Sequence, residues 1–100
     1  MAQIVVMPQS GQTMEEGIVV EWLKKEGEHI EKGEILLTID TGKASLEVES
    51  DYSGILRKIL VTPENGPVPC LTPIAIIGEA SENIVVDQVL ADYANSLKNP

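Results

Sequence analysis

Two stretches of this chain repeat one another. "GIVVEWLKKEGEHIEKGEILLTI" from Gly17 and "GILRKILVTPENGPVPCLTPIAII" from Gly54 align at an offset of 37 residues, which becomes 38 after one inserted residue near Asn65–Gly66. Gly17 meets Gly54, Leu23 meets Leu60, Ile30 meets Val68 and Ile39 meets Ile77. Neither copy can bury its apolar face alone, so two similar half-sheets packed face to face are the simplest solution. The repeat therefore predicts a two-sheet sandwich with a pseudo-twofold axis.

The local pattern agrees. Short apolar or alternating runs stand at 4–7, 18–23, 35–39, 46–48, 55–61 and 73–77, and between them lie Pro8, Ser10–Gly11, Gly27, Gly33, Thr41–Gly42, Ser53–Gly54 and Asn65–Gly66. This is the spacing of an all-β domain. Ile, Val and Leu number thirty against three aromatics, Trp22, Tyr52 and Tyr93, so the core is aliphatic and largely β-branched. One hundred residues suffice for a single core and leave no room for a second full domain. The tail differs: Val86, Leu90, Tyr93 and Leu97 recur at helical spacing from near Asp87, and the alternative is a linker leaving the domain.

Function turns on "IDTGKASLEV" at 39–48. The first copy ends at Ile39–Asp40, and the chain reverses through Thr41-Gly42-Lys43-Ala44 to begin Ser45–Ser50, which sets Lys43 at a hairpin tip. Leu46 and Val48 point inward, leaving Glu47 and Glu49 in solvent. A phosphate-loop reading of Gly42-Lys43 fails, since Leu37 and Ala44 stand where that motif needs Gly and Ser or Thr. A Schiff-base lysine needs a desolvated pocket, which this tip does not supply.

No other active site is visible. His29, in "KKEGEHIEKGE", reads as a solvated turn residue, and as the only histidine it leaves Ser10, Ser45, Ser50 and Ser53 without a triad. Glu15, Glu16, Glu26, Glu28 and Glu31 read as a solvated acidic face, and Trp22 and Met14 as packing residues. Cys70 has neither a disulfide partner nor fellow metal ligands, so no metal is expected and a reducing compartment is. The amino terminus lacks the pattern of a secretory or transit segment, no run approaches the roughly 18 apolar residues of a membrane span, and the net charge of −9 argues against nucleic acid or anionic membrane as partners. Steering toward basic protein surfaces remains open.

From Ile4 to about Glu79 the chain resembles the lipoyl domains of dihydrolipoyl acyltransferases from 2-oxo acid dehydrogenase complexes. The resemblance is carried by Pro8, Gly11, Thr13-Met14-Glu15-Glu16-Gly17, Trp22, Gly27, Gly33 and the lysine hairpin, and extends through Gly54, Pro73 and Ile74. It implies a flattened barrel of two four-stranded antiparallel sheets over 1–80, with 81–100 as a tail or short helix. It also implies lipoate in amide linkage on Lys43, flanked by Gly42 and Ala44, and partners in a thiamine diphosphate-dependent decarboxylase, a dihydrolipoyl dehydrogenase and a lipoate-attaching enzyme. Such a domain is a carrier rather than an enzyme, monomeric alone, and cytoplasmic in bacteria. "TMEEG" is more similar to the pyruvate or acetoin type than to the 2-oxoglutarate or branched-chain types. The loop from Gln9 to Gly17 is expected beside the tip, which makes Gln12, Thr13, Glu15 and Glu16, with Glu47 and Glu49, candidates for partner recognition.

Two rivals share these features. Biotinyl domains also carry a tip lysine, normally between two methionines, and an unmodified scaffold could use the tip as a contact. Two positions depart from the lipoyl pattern. Gly42 replaces the usual Asp, which removes an acidic neighbour and is expected to loosen the turn, although an Asp there should be well tolerated. Leu71 replaces the Gly matching Gly33, so an altered turn is expected there. The tail ending at Pro100 suggests the amino-terminal piece of a longer acyltransferase.

Overall fold

The computed structural model describes residues 2–9 and 11–98, with side chains for all of these except Leu97 and Lys98. The Ser10 turn marker, the Leu97 side chain of the tail stripe and Pro100 lie outside the described residues.

Each copy of the repeat folds as three strands preceded by a fourth. The first set is β1 (Gln3–Val6), β2 (Glu16–Trp22), β3 (His29–Ile30) and β4 (Ile35–Asp40), and the second is β5 (Ser45–Glu49), β6 (Gly54–Ile59), β7 (Pro67–Pro69) and β8 (Pro73–Gly78). They form two four-stranded antiparallel sheets, ordered β1-β8-β6-β3 and β5-β4-β2-β7. Replacing every strand of one order by its counterpart in the repeat yields the other, which is the pseudo-twofold axis expressed in topology. The copies do not make one sheet each, however: β1 and β3 join the sheet of β6 and β8, while β5 and β7 join that of β2 and β4. Exchanging strands lets each half bury its apolar face against residues of both.

β3 and β7 are too short, at two and three residues, to show an alternating run. They appear in the sequence only through the Ile30–Val68 match. β7 carries Pro67 and Pro69 at a sheet edge, where a missing N–H interrupts no inner ladder. Bulges repeat as well. The register shifts between Val19 and Glu21 in β2 and between Leu56 and Lys58 in β6, and again between Ile35 and Leu37 in β4 and opposite Ile74 in β8.

Between the sheets lie Val5, Met7, Met14, Val19, Ile30, Leu36, Leu37, Ile39, Leu56, Val61, Ile74, Ala75 and Ile77, with Trp22, Leu46, Val48 and Val68 packed around them. Trp22 and Met14 are thus packing residues, and the Trp22 indole N–H donates to Val61 O at 2.7 Å. β8 is buried along both faces, including Ile76. The chain after it folds back over that sheet: Ile84 lies against Gly78, and Arg57 donates to the carbonyls of Glu79 and, at 2.7 Å, Glu82. The helix α1 (Val86–Lys98) follows, with Val86, Leu90 and Tyr93 half-buried and the Tyr93 hydroxyl donating to Leu71 O at 3.1 Å.

The turn at Leu71 is not altered. Leu71 adopts φ 73°, in the same left-handed region as Gly33 at 94°. Hydrogen bonds explain why the non-glycine residue stays there. Gly33 N–H donates to Ser50 O and Ser50 N–H to Glu34 O, and in the second copy Leu71 N–H donates to Met7 O and Met7 N–H to Thr72 O, all at 2.8 Å. These bonds to Met7 hold the turn against the preference of the side chain, which is half exposed.

Candidate functional site

The β4–β5 hairpin is closed by the pairs Ile39–Leu46 and Asp40–Ser45, leaving four residues, Thr41 to Ala44, for the turn. Ile39 is fully buried and Leu46 packs on the core, so the base of the hairpin is anchored on its inner face while Gly42, Lys43 and Ala44 are exposed. A slip of one residue would reverse this, turning Ile39 outward; burial therefore fixes which residue reaches the tip. Among the described residues Lys43 Nζ has neither a hydrogen bond nor an ion pair.

The turn itself is held by one short side-chain bond, at Gly42, and by longer contacts to Thr41 Oγ1. Thr41 N–H donates to Ala44 O at 3.0 Å. Asp40 Oδ1 accepts from Gly42 N–H at 2.8 Å, and Thr41 Oγ1 accepts from Lys43 N–H at 3.4 Å and Ala44 N–H at 3.3 Å while donating to Ala44 O at 3.2 Å. Gly42 has φ 91°. A glycine of positive φ as the first of two central residues is what a type II′ hairpin turn requires. Two expectations change accordingly. Gly42 does not loosen the turn, because its amide is tied to Asp40, and an Asp at position 42 would be strained by its φ although open space surrounds the Cβ. Asp40 and Thr41 escaped the sequence reading. The available signal was an Asp two residues before a glycine amide, the pattern of an Asx turn.

The proposed recognition residues divide by position. Ile18 pairs with Asp40, and a Cβ on Gly17 would lie 3.6 Å from Asp40 O, so β2 begins beside the base of the tip and brings exposed Glu15 and Glu16 with it. Gln12 and Thr13 are exposed in the preceding loop, which is tied down by the Gln9 amide donating to Met14 O at 3.0 Å. Glu47 faces Thr38 and Glu49 faces Ile35, both on the outer face of the sheet. At about 3.4 Å per residue, Glu49 lies roughly 20 Å along the chain from Lys43 and is not part of its immediate surroundings.

Other candidates stay apart from the tip. His29 is exposed, 3.6 Å from Glu31 across its Nδ1. Cys70 Sγ is half-buried against Pro8 O and Met14 O. Ser50 is buried and bonded to Tyr52 O at 2.5 Å, a turn contact. Among the described residues no three His, Cys, Asp or Glu side chains come together as metal ligands would, and no helix is long and apolar enough to cross a membrane. A cleft of about 490 Å³ opens between the edge strands β1 and β5, lined by Ile4, Val6, Leu46, Val48 and Tyr52 with Glu47 and Glu49 beside them.

A family model described as "Biotin-requiring enzyme" (Biotin_lipoyl) matches residues 3–77, the whole sandwich up to the last residues of β8. The chain belongs to that biotinyl and lipoyl family. Its relatives include the dihydrolipoyllysine-residue acetyltransferase component of pyruvate dehydrogenase complex from Rickettsia prowazekii (strain Madrid E), 42% identical over 79% of this chain and 19% of that protein. The corresponding component of the acetoin cleaving system from Pseudomonas putida is 43% identical over 93% of this chain and 27% of its own length. The pyruvate dehydrogenase E1 component subunit beta of Rhizobium meliloti (strain 1021) is 39% identical over 80% of this chain and 18% of its own. The chain thus spans no more than about a quarter of the curated relatives named here.

Proposed function

We propose that Lys43 carries lipoate in amide linkage and that the chain is the swinging-arm carrier of a 2-oxo acid dehydrogenase complex of the pyruvate or acetoin type. The observation that carries this is a primary amine that has no polar partner among the described residues, exposed in a turn whose backbone is hydrogen-bonded at its base. A long acyl chain fits such a site: Gly42, Lys43 and Ala44 are all exposed, and the packing of Ile39 and Leu46 below them keeps the attachment point in register. Bound lipoate would supply the dithiolane chemistry; the chain would supply position and recognition.

On this reading the partners are a thiamine diphosphate-dependent decarboxylase, a dihydrolipoyl dehydrogenase, the acyltransferase core and the enzyme that attaches lipoate, all met in the bacterial cytoplasm by a domain that is monomeric alone and not itself a catalyst. Tethering raises the effective concentration of the arm at each active site to the millimolar range typical of flexible links. Glu15, Glu16 and Glu47 flank the base of the tip and suit contact with basic partner surfaces, with Gln12, Thr13 and Glu49 further out. Biotin on the same amine is the second reading, favoured by the family description; the relatives' names, and Gly42 and Ala44 in place of methionines around Lys43, favour lipoate.

Intact-mass measurement on the chain from its native host decides among lipoyl addition, biotin addition and none. Lys43→Arg should abolish the addition and all acyl transfer while shifting stability by no more than about 0.5 kcal/mol, since the side chain is exposed and, among the described residues, has neither a hydrogen bond nor an ion pair. A Lys43→Arg chain that still accepts an acyl group would overturn the carrier role.

A further inference from the structure

We propose that the groove between the edge strands β1 and β5 is a docking site for an extended segment of another protein in which apolar and basic residues alternate, the segment adding to β5 as a further strand. Two clefts make up the groove. The first, of about 490 Å³, is lined on its apolar side by Ile4, Val6, Leu46 and Val48. The second, of about 480 Å³, continues it between β1 and α1, and the two share Ile4 and Tyr52. Among the described residues five carboxylates line the pair, Glu47, Glu49 and Asp51 in the first and Glu82 and Asp92 in the second, and no lysine, arginine or histidine does. Neither Lys43 nor the loop at 11–17 borders the groove, so it is a surface apart from the tip.

The chemistry of the occupant follows from β5. This strand is the last of its sheet and pairs only with β4. Ala44 O accepts from Thr41 N–H at 3.0 Å and Ser50 N–H donates to Glu34 O at 2.8 Å, so the even-numbered residues between them turn their backbone groups toward β4. The odd-numbered residues Ser45, Glu47 and Glu49 turn theirs to the open edge. Side chains alternate along the same strand: Leu46 and Val48 pack on the core, while Glu47 and Glu49 are exposed. A strand added at that edge alternates in phase with β5. Its inward side chains meet Leu46 and Val48, which asks for apolar residues, and its outward ones stand opposite Glu47 and Glu49, which asks for lysine or arginine.

Charge also decides against the obvious competitor. Carboxylates along an open edge repel the edges of acidic chains, and each copy of this chain carries a net charge of −9. The groups that attract a basic segment therefore disfavour a second copy in the groove.

The test uses the full, unmodified chain and an end-blocked octapeptide alternating valine and lysine. One control peptide has the same residues in two blocks, and another alternates valine and glutamate. Titration calorimetry at low and moderate salt measures affinity, and hydrogen exchange followed by NMR locates the contact. The alternating basic peptide should bind saturably at one site, slow exchange of the Glu47 and Glu49 amides, and bind less tightly as salt is added. The blocked-sequence control should bind at least about tenfold more weakly, and the acidic control not at all. Glu47→Gln combined with Glu49→Gln should weaken the alternating peptide about tenfold at low salt while leaving the thermal midpoint near wild type, since both side chains are exposed. Methylating the peptide nitrogens that face β5 should abolish binding, whereas methylating the alternate set should not. Equal affinity for the alternating and blocked-sequence peptides would overturn the proposal, because it would leave only a general attraction of opposite charges. Absence of saturable binding would overturn it too, as would protection confined to the tip or to residues 11–17. So would protection of Glu47 and Glu49 that grows with chain concentration in the absence of peptide, which would make a second copy the occupant.

Discussion

The two glycines that open the repeat should respond differently to the same methyl group. In the second copy, a Cβ on Gly54 would lie 3.0 Å from Gly78 O and 3.0 Å from Ile77 Cγ2, and the residue holds φ 152°. A backbone oxygen in the central strand β8 cannot withdraw without breaking its ladder, so the overpacking is not relieved; overpacking of this kind costs about 1–3 kcal/mol and the backbone region about 1–3 kcal/mol more. Restricting the unfolded chain returns about 0.4–1 kcal/mol, leaving Gly54→Ala destabilised by roughly 1–5.6 kcal/mol. In the first copy, the close atoms are Met7 Sδ at 2.8 Å and Met14 Cε at 3.0 Å, and the carbonyl of Asp40 is at an ordinary 3.6 Å. Methionine is the most adaptable of core side chains, although Met7 is fully buried and must shift within the core, and no positive φ opposes the change. Gly17→Ala should therefore stay within about 1 kcal/mol of wild type. Urea unfolding followed by the fluorescence of Trp22, the only tryptophan, measures both on one probe. Equal losses, or a larger loss at Gly17, would refute the argument from backbone against side-chain contacts.

Removing the chain after Glu79 should leave unfolding cooperative, because both sheets are complete by Gly78, yet lower stability by about 1–3 kcal/mol as the contact of Ile84 with Gly78 and the bonds of Arg57 to Glu82 O and of Tyr93 to Leu71 O are lost. An unchanged urea midpoint would mean that the segment shields nothing. Acidification gives a second check. The Lys24 ammonium donates to Glu34 Oε2 at 2.9 Å, which holds the Glu34 carboxyl below its ordinary value and, with the same partner, the Lys24 ammonium above its own. The stabilisation from Glu34 is thus present above the ordinary carboxylate range and is lost as pH falls through the lowered value, while that from Lys24 is complete below the ordinary lysine value and lost as pH rises through the raised one. Glu34→Gln should flatten the acid limb of a stability–pH curve, and an unaltered limb would rule the pair out as its source.

Much of this was legible in the residues. The repeat carries the pseudo-twofold axis, alternation carries the long strands, and the turn residues between Ile39 and Leu46 carry Lys43 to a tip. These are local or periodic signals, each written in a few neighbouring side chains. Leu71 shows where such signals end: its side chain argues against a left-handed turn, and bonds to Met7, more than sixty positions away in the chain, impose one. The exchange of strands between copies, the burial of β8 on both faces and the clamp of Arg57 on the returning chain also depend on which distant segments meet. Sequence shows one lysine between Gly42 and Ala44; only the folded chain shows that the amides of Gly42, Lys43 and Ala44 donate to Asp40 and Thr41 side chains, because a hydrogen bond has direction and length that the order of residues does not specify.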